Sequence, residues 1–232
     1  MTGKDITIQT PDGAMGGYLA APTNARGPGL VVIQEIFGVN QVMRDLADGF
    51  AAHGYIALVP DLFWRLQPGV QLTDKTKAEW DKAFALMNAF DPDTGVADIQ
   101  ASIDLLRKDA AVTGKVGAVG YCLGGLLAYL TAARTDVDAC VGYYGVNIQK
   151  KLGEAKTIQK PLMLHIAGKD GFTPPDAQKE IVDGLKSNSH VTIHLYPEMD
   201  HAFARVGGEH YDHANAELAN GRTATFFRQH SG

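Results

Sequence analysis

The sequence predicts a mostly parallel, doubly wound α/β sheet that begins with an N-terminal antiparallel hairpin. Short apolar runs, typical of buried strands, alternate with amphipathic helical segments along the 232 residues. This alternation is typical of a parallel sheet that helices cover on both faces. One strand also runs directly into a helix through a turn that has a glycine on each side, and this arrangement narrows the choice among folds of this class.

The hairpin comes first. Residues 6–8 alternate between apolar and polar, the turn Pro11-Asp12-Gly13 follows, and residues 15–21 extend again before Pro22. The next strands are continuous apolar runs, as expected where both faces are buried. They are predicted at residues 30–33, 55–59, 115–119, 139–144, 161–167 and 191–196.

Helices are predicted where apolar residues recur at a spacing of three or four. The segment 41–53 has this spacing and ends at Gly54, and residues 93–108 begin with acidic and end with basic side chains, as a helix dipole prefers. A polar loop and an amphipathic segment occupy residues 61–90. Further helices are predicted at 126–134, 176–186 and 211–229.

Length and composition favour one domain over residues 1–232, because α/β folds of this size bury a sizeable core. The chain is 45% hydrophobic with a net charge of -5, and it has no basic run that could neutralise nucleic-acid phosphates. Its longest near-apolar run, residues 122–133, is too short to span a bilayer. The two cysteines match no metal-site spacing. We expect a cytoplasmic monomer or small homo-oligomer with no cofactor, metal, nucleic acid or membrane partner.

The turn Gly120-Tyr121-Cys122-Leu123-Gly124 has the pattern of a nucleophile elbow that carries a thiol. An elbow holds its nucleophile in a strained conformation, so the residues two before and two after it must be small. The helix that follows would favour a thiolate at its N-terminus. The alternative is that Cys122 is a small buried hydrophobic residue, as free cysteines often are.

Two further groups follow the elbow in the order that this type of site uses, nucleophile, acid and histidine. Asp170 comes directly after the strand at 161–167, and His201 lies in the loop after the strand at 191–196. Asp170 is therefore the predicted acid and His201 the predicted base, in an α/β-hydrolase fold. The alternatives are a turn-stabilising aspartate and a solvent-exposed loop histidine.

The attack of Cys122 on a carbonyl would need two hydrogen-bond donors for the oxyanion. The backbone N–H of Leu123 is one, and the loop after the strand at 30–33 should supply the other. That loop reads Gln34-Glu35-Ile36-Phe37-Gly38 and carries an ionisable group close to the predicted thiol. Glu35 is a candidate proton acceptor, and the alternative is a surface carboxylate or a capped loop end.

Taken together, the segment 34–38, the elbow, Asp170 and His201-Ala202-Phe203 resemble the dienelactone hydrolase (carboxymethylenebutenolidase) family. The resemblance covers nearly the whole chain. It implies a Cys122–His201–Asp170 triad, an oxyanion hole from the N–H groups of Leu123 and Ile36, and a neutral resting thiol turned away from the histidine. It also implies that an arginine, matched here by Arg205, holds Glu35 until substrate releases it to deprotonate the thiol.

The chain departs from this family at the substrate pocket. Chlorocatechol-pathway members carry an arginine, a tyrosine and a tryptophan on the helix before Ala89-Phe90-Asp91, where this chain has Trp80, Phe84 and Met87. Their spacing would equally suit the core stripe of a helix. The predicted substrate contacts are Arg205, Trp80, Phe84, Met87, Phe37 and Tyr143.

These observations predict a cysteine-dependent hydrolase that opens a small ester or lactone, similar to a dienelactone, through a thioester on Cys122. Two alternatives stay open. One is a general carboxylesterase or thioesterase with an apolar pocket, which the missing arginine would favour. The other is a non-catalytic member of the fold that binds a small ligand.

Overall fold

A computed structural model describes residues 3–230, and within them eight strands form a single sheet. The strands are β1 (Lys4–Thr10), β2 (Gly13–Ala20), β3 (Gly27–Ile33), β4 (Ile56–Pro60), β5 (Val112–Tyr121), β6 (Ala139–Tyr143), β7 (Leu162–Ala167) and β8 (Val191–Tyr196). Their order across the sheet is β1-β2-β4-β3-β5-β6-β7-β8.

The sheet has an antiparallel end and a parallel body. β1 pairs with β2 through the turn at 11–12, and β2 pairs antiparallel with β4. From β4 onward every neighbouring pair is parallel. The predicted α/β-hydrolase fold with a leading hairpin is therefore confirmed.

Six α-helices connect these strands in the described part of the chain. They are α1 (Gln41–Ala52), α2 (Lys77–Ala89), α3 (Pro92–Lys108), α4 (Leu123–Arg134), α5 (Pro175–Leu185) and α6 (His213–His230). Side chains cap the starts of α1, α2 and α3, because the first N–H groups of a helix have no internal acceptor. Asn40 accepts from the Met43 N–H, and Thr76 accepts from the Glu79 N–H.

One element was not predicted. Residues Ile148–Thr157 form a 3-10 helix, and only Ile148 within it is buried. A segment with one buried side chain produces no hydrophobic period, so the pattern gave no signal for it.

The core is centred on α4 and the middle strands. Every residue of α4 from Leu123 to Ala132 is buried, as are all residues of β6 and β7. A helix that is apolar on all sides needs neighbours on all sides. The sheet, α3 and the 3-10 segment provide those contacts, and they hold the start of α4 rigidly beneath the carboxyl ends of the strands.

Loops at the carboxyl ends of β3, β5, β7 and β8 all open at the same edge of the parallel sheet, where ligands bind in open α/β folds. These loops carry Glu35, Cys122, Asp170 and His201 in turn. Within residues 3–230, no helix combines the length and the apolar character needed to cross a membrane.

Candidate active site

Cys122 occupies the sharp turn between β5 and α4, with φ 56° and ψ −113°. A Cβ at Gly120 would lie 1.9 Å from the Gly124 carbonyl oxygen, and one at Gly124 would lie 2.4 Å from the Ile33 carbonyl oxygen. No side chain fits in either place, so close backbone contact requires glycine at both positions. The structure thus has the strained geometry that an elbow motif predicts.

The two cysteines differ in their surroundings. Cys122 is at the surface of a cleft, whereas Cys140 lies inside β6 with no exposed area. Burial raises the pKa of the Cys140 thiol well above its usual range. A thiol that stays protonated is a poor nucleophile, so only Cys122 is placed for chemistry.

His201 and Asp170 form a buried pair. His201 Nδ1 lies 2.8 Å from Asp170 Oδ2. Asp170 Oδ1 accepts from the backbone N–H of Phe172 at 2.8 Å and from that of Thr173 at 3.3 Å, which fixes the carboxylate. Because Nδ1 is held by the acid, Nε2 is the ring nitrogen left without this partner, in the cleft that His201 shares with Cys122.

The charge state of His201 follows from its two partners. Burial by itself would lower the pKa of the ring, but the Cys122 side chain and the Asp170 carboxylate outweigh burial and raise the pKa to about 10. Cys122 and His201 also line the same cleft. That the resting thiol is turned away from the histidine stays a prediction.

Glu35 is buried beneath the cleft. Its Oε2 accepts from Arg205 Nη1 at 3.1 Å, while Oε1 has no hydrogen-bond partner among residues 3–230. Gln34 fixes the loop, since its Nε2 donates to the Glu35 carbonyl and its Oε1 accepts from the Leu62 N–H. Glu35 is thus a buried carboxylate with one free oxygen, and the surface interpretation of this residue is wrong.

Arg205 has a second carboxylate partner. Its Nη2 lies 3.2 Å from Asp74 Oδ2, and its guanidinium lies over the Phe37 ring, 5.4 Å from the ring centre. The side chains of both Arg205 and Asp74 are largely buried. Asp74 was missed from the sequence, because it lies in a polar loop that carries no motif.

The cleft above Cys122 is small and largely aromatic. Trp80 stacks on Phe84 with ring centres 5.5 Å apart, and Phe37 meets Trp80 edge-on at 5.0 Å. The open space between the lining side chains is about 20 Å³. The residues that line it are Ile36, Phe37, Trp80, Phe84, Met87, Cys122, Val146, Phe172, His201 and Arg205.

Trp80, Phe84 and Met87 therefore face the cleft rather than only the core, and Phe37 and Arg205 lie with them. Phe172 is an addition that the sequence did not indicate. Phe172 is half exposed, and its ring centre lies 4.8 Å from that of His201 and 6.2 Å from that of Phe84. It follows Asp170 by two residues, so its place depends on the path of that loop.

Tyr143 was predicted to contact substrate, and the structure corrects this. Its side chain is fully buried, with its hydroxyl 2.6 Å from Thr223 Oγ1 and 3.0 Å from Asn220 Oδ1. Successive side chains of a strand point to opposite faces, and Tyr143 points toward α6. The cleft is reached instead by the neighbouring segment that includes Val146.

Tyr144 is the tyrosine that lies beside the site. It has φ 37°, and its ring centre is 5.1 Å from that of His201. Its buried hydroxyl has no hydrogen-bond partner within residues 3–230, and burial together with the charge of Glu35 raises its pKa well above the usual value. With Glu35 and Arg205 it lines a second cavity of about 210 Å³.

The two residues predicted to donate N–H groups to the oxyanion, Leu123 and Ile36, both lie near Cys122. Leu123 opens α4 directly after Cys122, where a helix N–H has no internal acceptor. Ile36 follows Glu35 and lines the cleft. Their joint role as an oxyanion hole stays a prediction.

Comparison with known proteins agrees with this geometry. The profile of the dienelactone hydrolase family matches residues 15–231. A protein of Azospirillum brasilense, provisionally named a carboxymethylenebutenolidase, is 52% identical over 231 residues, which is 98% of this chain and 99% of the relative. The carboxymethylenebutenolidase of Pseudomonas putida is 40% identical over 227 residues, covering 97% and 96%.

A solved structure is also similar to this chain. A crystal structure from Klebsiella pneumoniae, provisionally named a dienelactone hydrolase, superposes with a TM-score of 0.88 at 26% identity over 98% of each chain. From these matches and the site geometry, the chain belongs to the dienelactone hydrolase family, a family of carboxylic ester hydrolases with the α/β-hydrolase fold.

Proposed function

We propose that this protein opens small esters or lactones through a thioester on Cys122. The observation that carries the proposal is the position of this thiol, on a strained elbow and beside an imidazole whose other nitrogen is held by Asp170. A nucleophile, a base beside it and an acid that orients the base are the arrangement that covalent acyl transfer requires.

The reaction has two halves. The Cys122 thiolate attacks the carbonyl carbon, a C–S bond forms, and the carbonyl electron pair moves to the oxygen, which the N–H groups of Leu123 and Ile36 stabilise. Collapse breaks the C–O bond, and the His201 imidazolium protonates the leaving oxygen. Water then attacks the thioester as His201 takes its proton, and the Cys122 thiolate leaves.

Glu35 would act at the start of this cycle. Its Oε1 is buried without a hydrogen-bond partner beside the second cavity, and within residues 3–230 its ion pair with a cation is made through Oε2. When substrate displaces it from Arg205, the carboxylate accepts the thiol proton, and Glu35 returns this proton to the Cys122 thiolate when the product leaves. Activation by substrate would protect the thiol from unrelated electrophiles.

The substrate should be small. The relative from Pseudomonas putida is, by its name, a carboxymethylenebutenolidase, and we propose related lactone and ester chemistry for this chain. The space of about 20 Å³ above Cys122 is close to that of one water molecule. Even a single ring must therefore move the aromatic side chains apart as it enters.

A burst experiment with 4-nitrophenyl acetate tests the proposal. We expect a stoichiometric release of nitrophenolate and an acetyl adduct in the intact mass, both absent from Cys122→Ala. Cys140→Ala is the matched control and should keep both within a few-fold. If no ester or lactone gives an adduct on the folded protein, the ligand-binding alternative replaces this proposal.

A further inference from the structure

Arg205 is the only lysine or arginine among the described side chains that line the cleft. Each of its terminal nitrogens already faces a carboxylate. Nη1 lies 3.1 Å from Glu35 and Nη2 lies 3.2 Å from Asp74. A substrate carboxylate that approached this edge of the guanidinium for a bidentate contact would therefore meet two negative charges, and the Nε–H is the one guanidinium nitrogen without a hydrogen-bond or ion-pair partner within residues 3–230.

Asp74 is held firmly in this position. Its Oδ1 lies 3.0 Å from Lys75 Nζ, which also donates to the Gly207 carbonyl at 2.9 Å. The Trp80 indole N–H donates to the Asp74 carbonyl at 3.0 Å. The contact with Arg205 is thus part of a built network and not a chance surface pair.

The segment before Asp74 is fixed to the Glu35 loop. The Leu72 N–H donates to the Phe37 carbonyl at 2.9 Å, and Asn40 Nδ2 donates to the Leu72 carbonyl at 2.8 Å. Gly38 has φ 75°, and a Cβ there would lie 2.0 Å from the Val70 carbonyl oxygen. This close crossing holds residues 70–74 against the loop that carries Glu35.

The charges in this network balance. Arg205 and Lys75 face the carboxylates of Glu35 and Asp74, so two positive charges meet two negative charges. A substrate carboxylate would be a third negative charge. Burying it without a free cation is unfavourable, because desolvation is then not compensated.

The cleft walls suit an uncharged planar group. Phe37, Trp80, Phe84 and Phe172 surround the space above Cys122, and their ring faces favour stacking on a flat acyl or leaving group.

We propose that Asp74 determines specificity: by holding Arg205, it makes the cleft select uncharged, planar esters and lactones over those that carry a carboxylate. This rests on the proposed hydrolysis at Cys122. Asp74 also keeps a counter-charge on Arg205 when Glu35 leaves. Release of Glu35 therefore does not require a negatively charged substrate.

The test compares dienelactone with its methyl ester, two lactones that differ in one carboxylate charge. The unmodified enzyme should hydrolyse the methyl ester with a kcat/KM at least equal to that of the acid. Asp74→Asn removes the charge and keeps the shape. We expect the acid-to-ester ratio of kcat/KM to rise about tenfold or more, the scale of one charge-assisted hydrogen bond.

The two kinetic constants should move in a pattern that general damage would not give. In Asp74→Asn we expect the KM for the acid to fall, because the edge of Arg205 that faced the Asp74 carboxylate becomes available to the substrate carboxylate. We expect kcat for the methyl ester to fall, because Glu35 is then the one carboxylate still paired with Arg205 and is released less readily. Asp81→Asn removes the same charge from the exposed face of α2, where Asp81 pairs with Lys77, and should leave the ratio unchanged.

Other outcomes overturn the proposal. A strong preference of the unmodified enzyme for the acid does so even if Asp74→Asn does not fold. An equal loss of both activities in folded Asp74→Asn would show that Asp74 is only structural. If neither lactone forms an adduct on Cys122, the proposed hydrolysis itself is wrong. If the adduct forms normally but the unmodified enzyme prefers the acid, only the proposed role of Asp74 is wrong.

Discussion

Glu35 and Arg205 are 170 positions apart in the chain, yet Glu35 Oε2 accepts a hydrogen bond from Arg205 Nη1 at 3.1 Å beneath the cleft. Both side chains are largely buried. Breaking this pair would leave the Glu35 carboxylate without a counter-charge in a dry environment, whereas Arg205 would still face Asp74 at 3.2 Å.

Glu35→Gln should lower kcat by about 10²-fold, the usual scale for loss of a general base. The amide keeps the shape of the side chain but cannot accept the thiol proton. The measurement is kcat across a pH series, with a thermal melt to show that the variant is folded. Asp45→Asn, which changes an exposed carboxylate lining the neighbouring cavity, is the control and should stay near the unmodified rate. Unchanged turnover of Glu35→Gln at every pH would make Glu35 structural.

The protonation of His201 should depend on Cys122. The pKa of the ring is raised to about 10 against the lowering effect of burial, and the Cys122 side chain is the first of the groups that raise it. In Cys122→Ala we therefore expect a clearly lower pKa, followed by NMR of the labelled imidazole. Cys140→Ala should leave the titration as it is. A ring that titrates identically in both variants would mean that the thiol does not contact it.

The same shift predicts a pH effect on stability. Because the folded pKa lies above the unfolded value of about 6.5, His201 contributes stability that is complete below pH 6.5 and is lost as the pH rises through about 10. Urea unfolding of the unmodified protein should show this decline between those limits. The decline in the free energy of unfolding should be smaller in Cys122→Ala. An equal decline in the two proteins would contradict the contribution of Cys122 to the raised pKa of His201.

Trp80→Arg should shift kcat/KM toward the anionic lactone by roughly 1–3 kcal/mol, the scale of a hydrogen bond to a charged group. Trp80 lines the cleft, so an arginine there would add a cation beside the reacting centre. The assay compares dienelactone with a neutral aryl ester. Ala78→Arg adds the same charge on the exposed side of α2 and should not change the preference. A variant that folds but keeps its original preference would place Trp80 outside the substrate contacts.

Phe172→Ala should widen the cleft, because the half-exposed Phe172 ring spans the gap between His201 and Phe84. We expect kcat/KM to rise for bulky esters relative to acetate esters, with a stability loss of about 1 kcal/mol from the lost aromatic contacts. A series of 4-nitrophenyl esters of increasing chain length measures this. Leu195→Ala removes an equally exposed side chain from β8 and should leave the series unchanged. If Phe172→Ala lowered kcat/KM by the same factor for every ester in the series, a steric role of Phe172 would be wrong.

Local patterns were enough to predict most elements of the fold. The continuous apolar run at 161–167 became β7, and the capped periodic segment at 41–53 became α1, each within a residue or two. Three elements begin three residues before their predicted starts: β3 at Gly27 rather than 30, β5 at Val112 rather than 115, and α4 at Leu123 rather than 126. The first turn of α4 contains two glycines, which carry no hydrophobic period, so the pattern placed its start too late.

The sequence by itself determined the local conformations at three predicted site residues. Cys122 between two glycines, Asp170 after β7 and His201 in the loop after β8 are each encoded within a few residues, because turn and strand-end geometry depends on near neighbours. Only the tertiary structure decided the partners of Arg205, the side of β6 on which Tyr143 lies, and the places of Asp74, Phe172 and Tyr144. These depend on how segments far apart in sequence cross above the sheet, and no local pattern specifies such crossings.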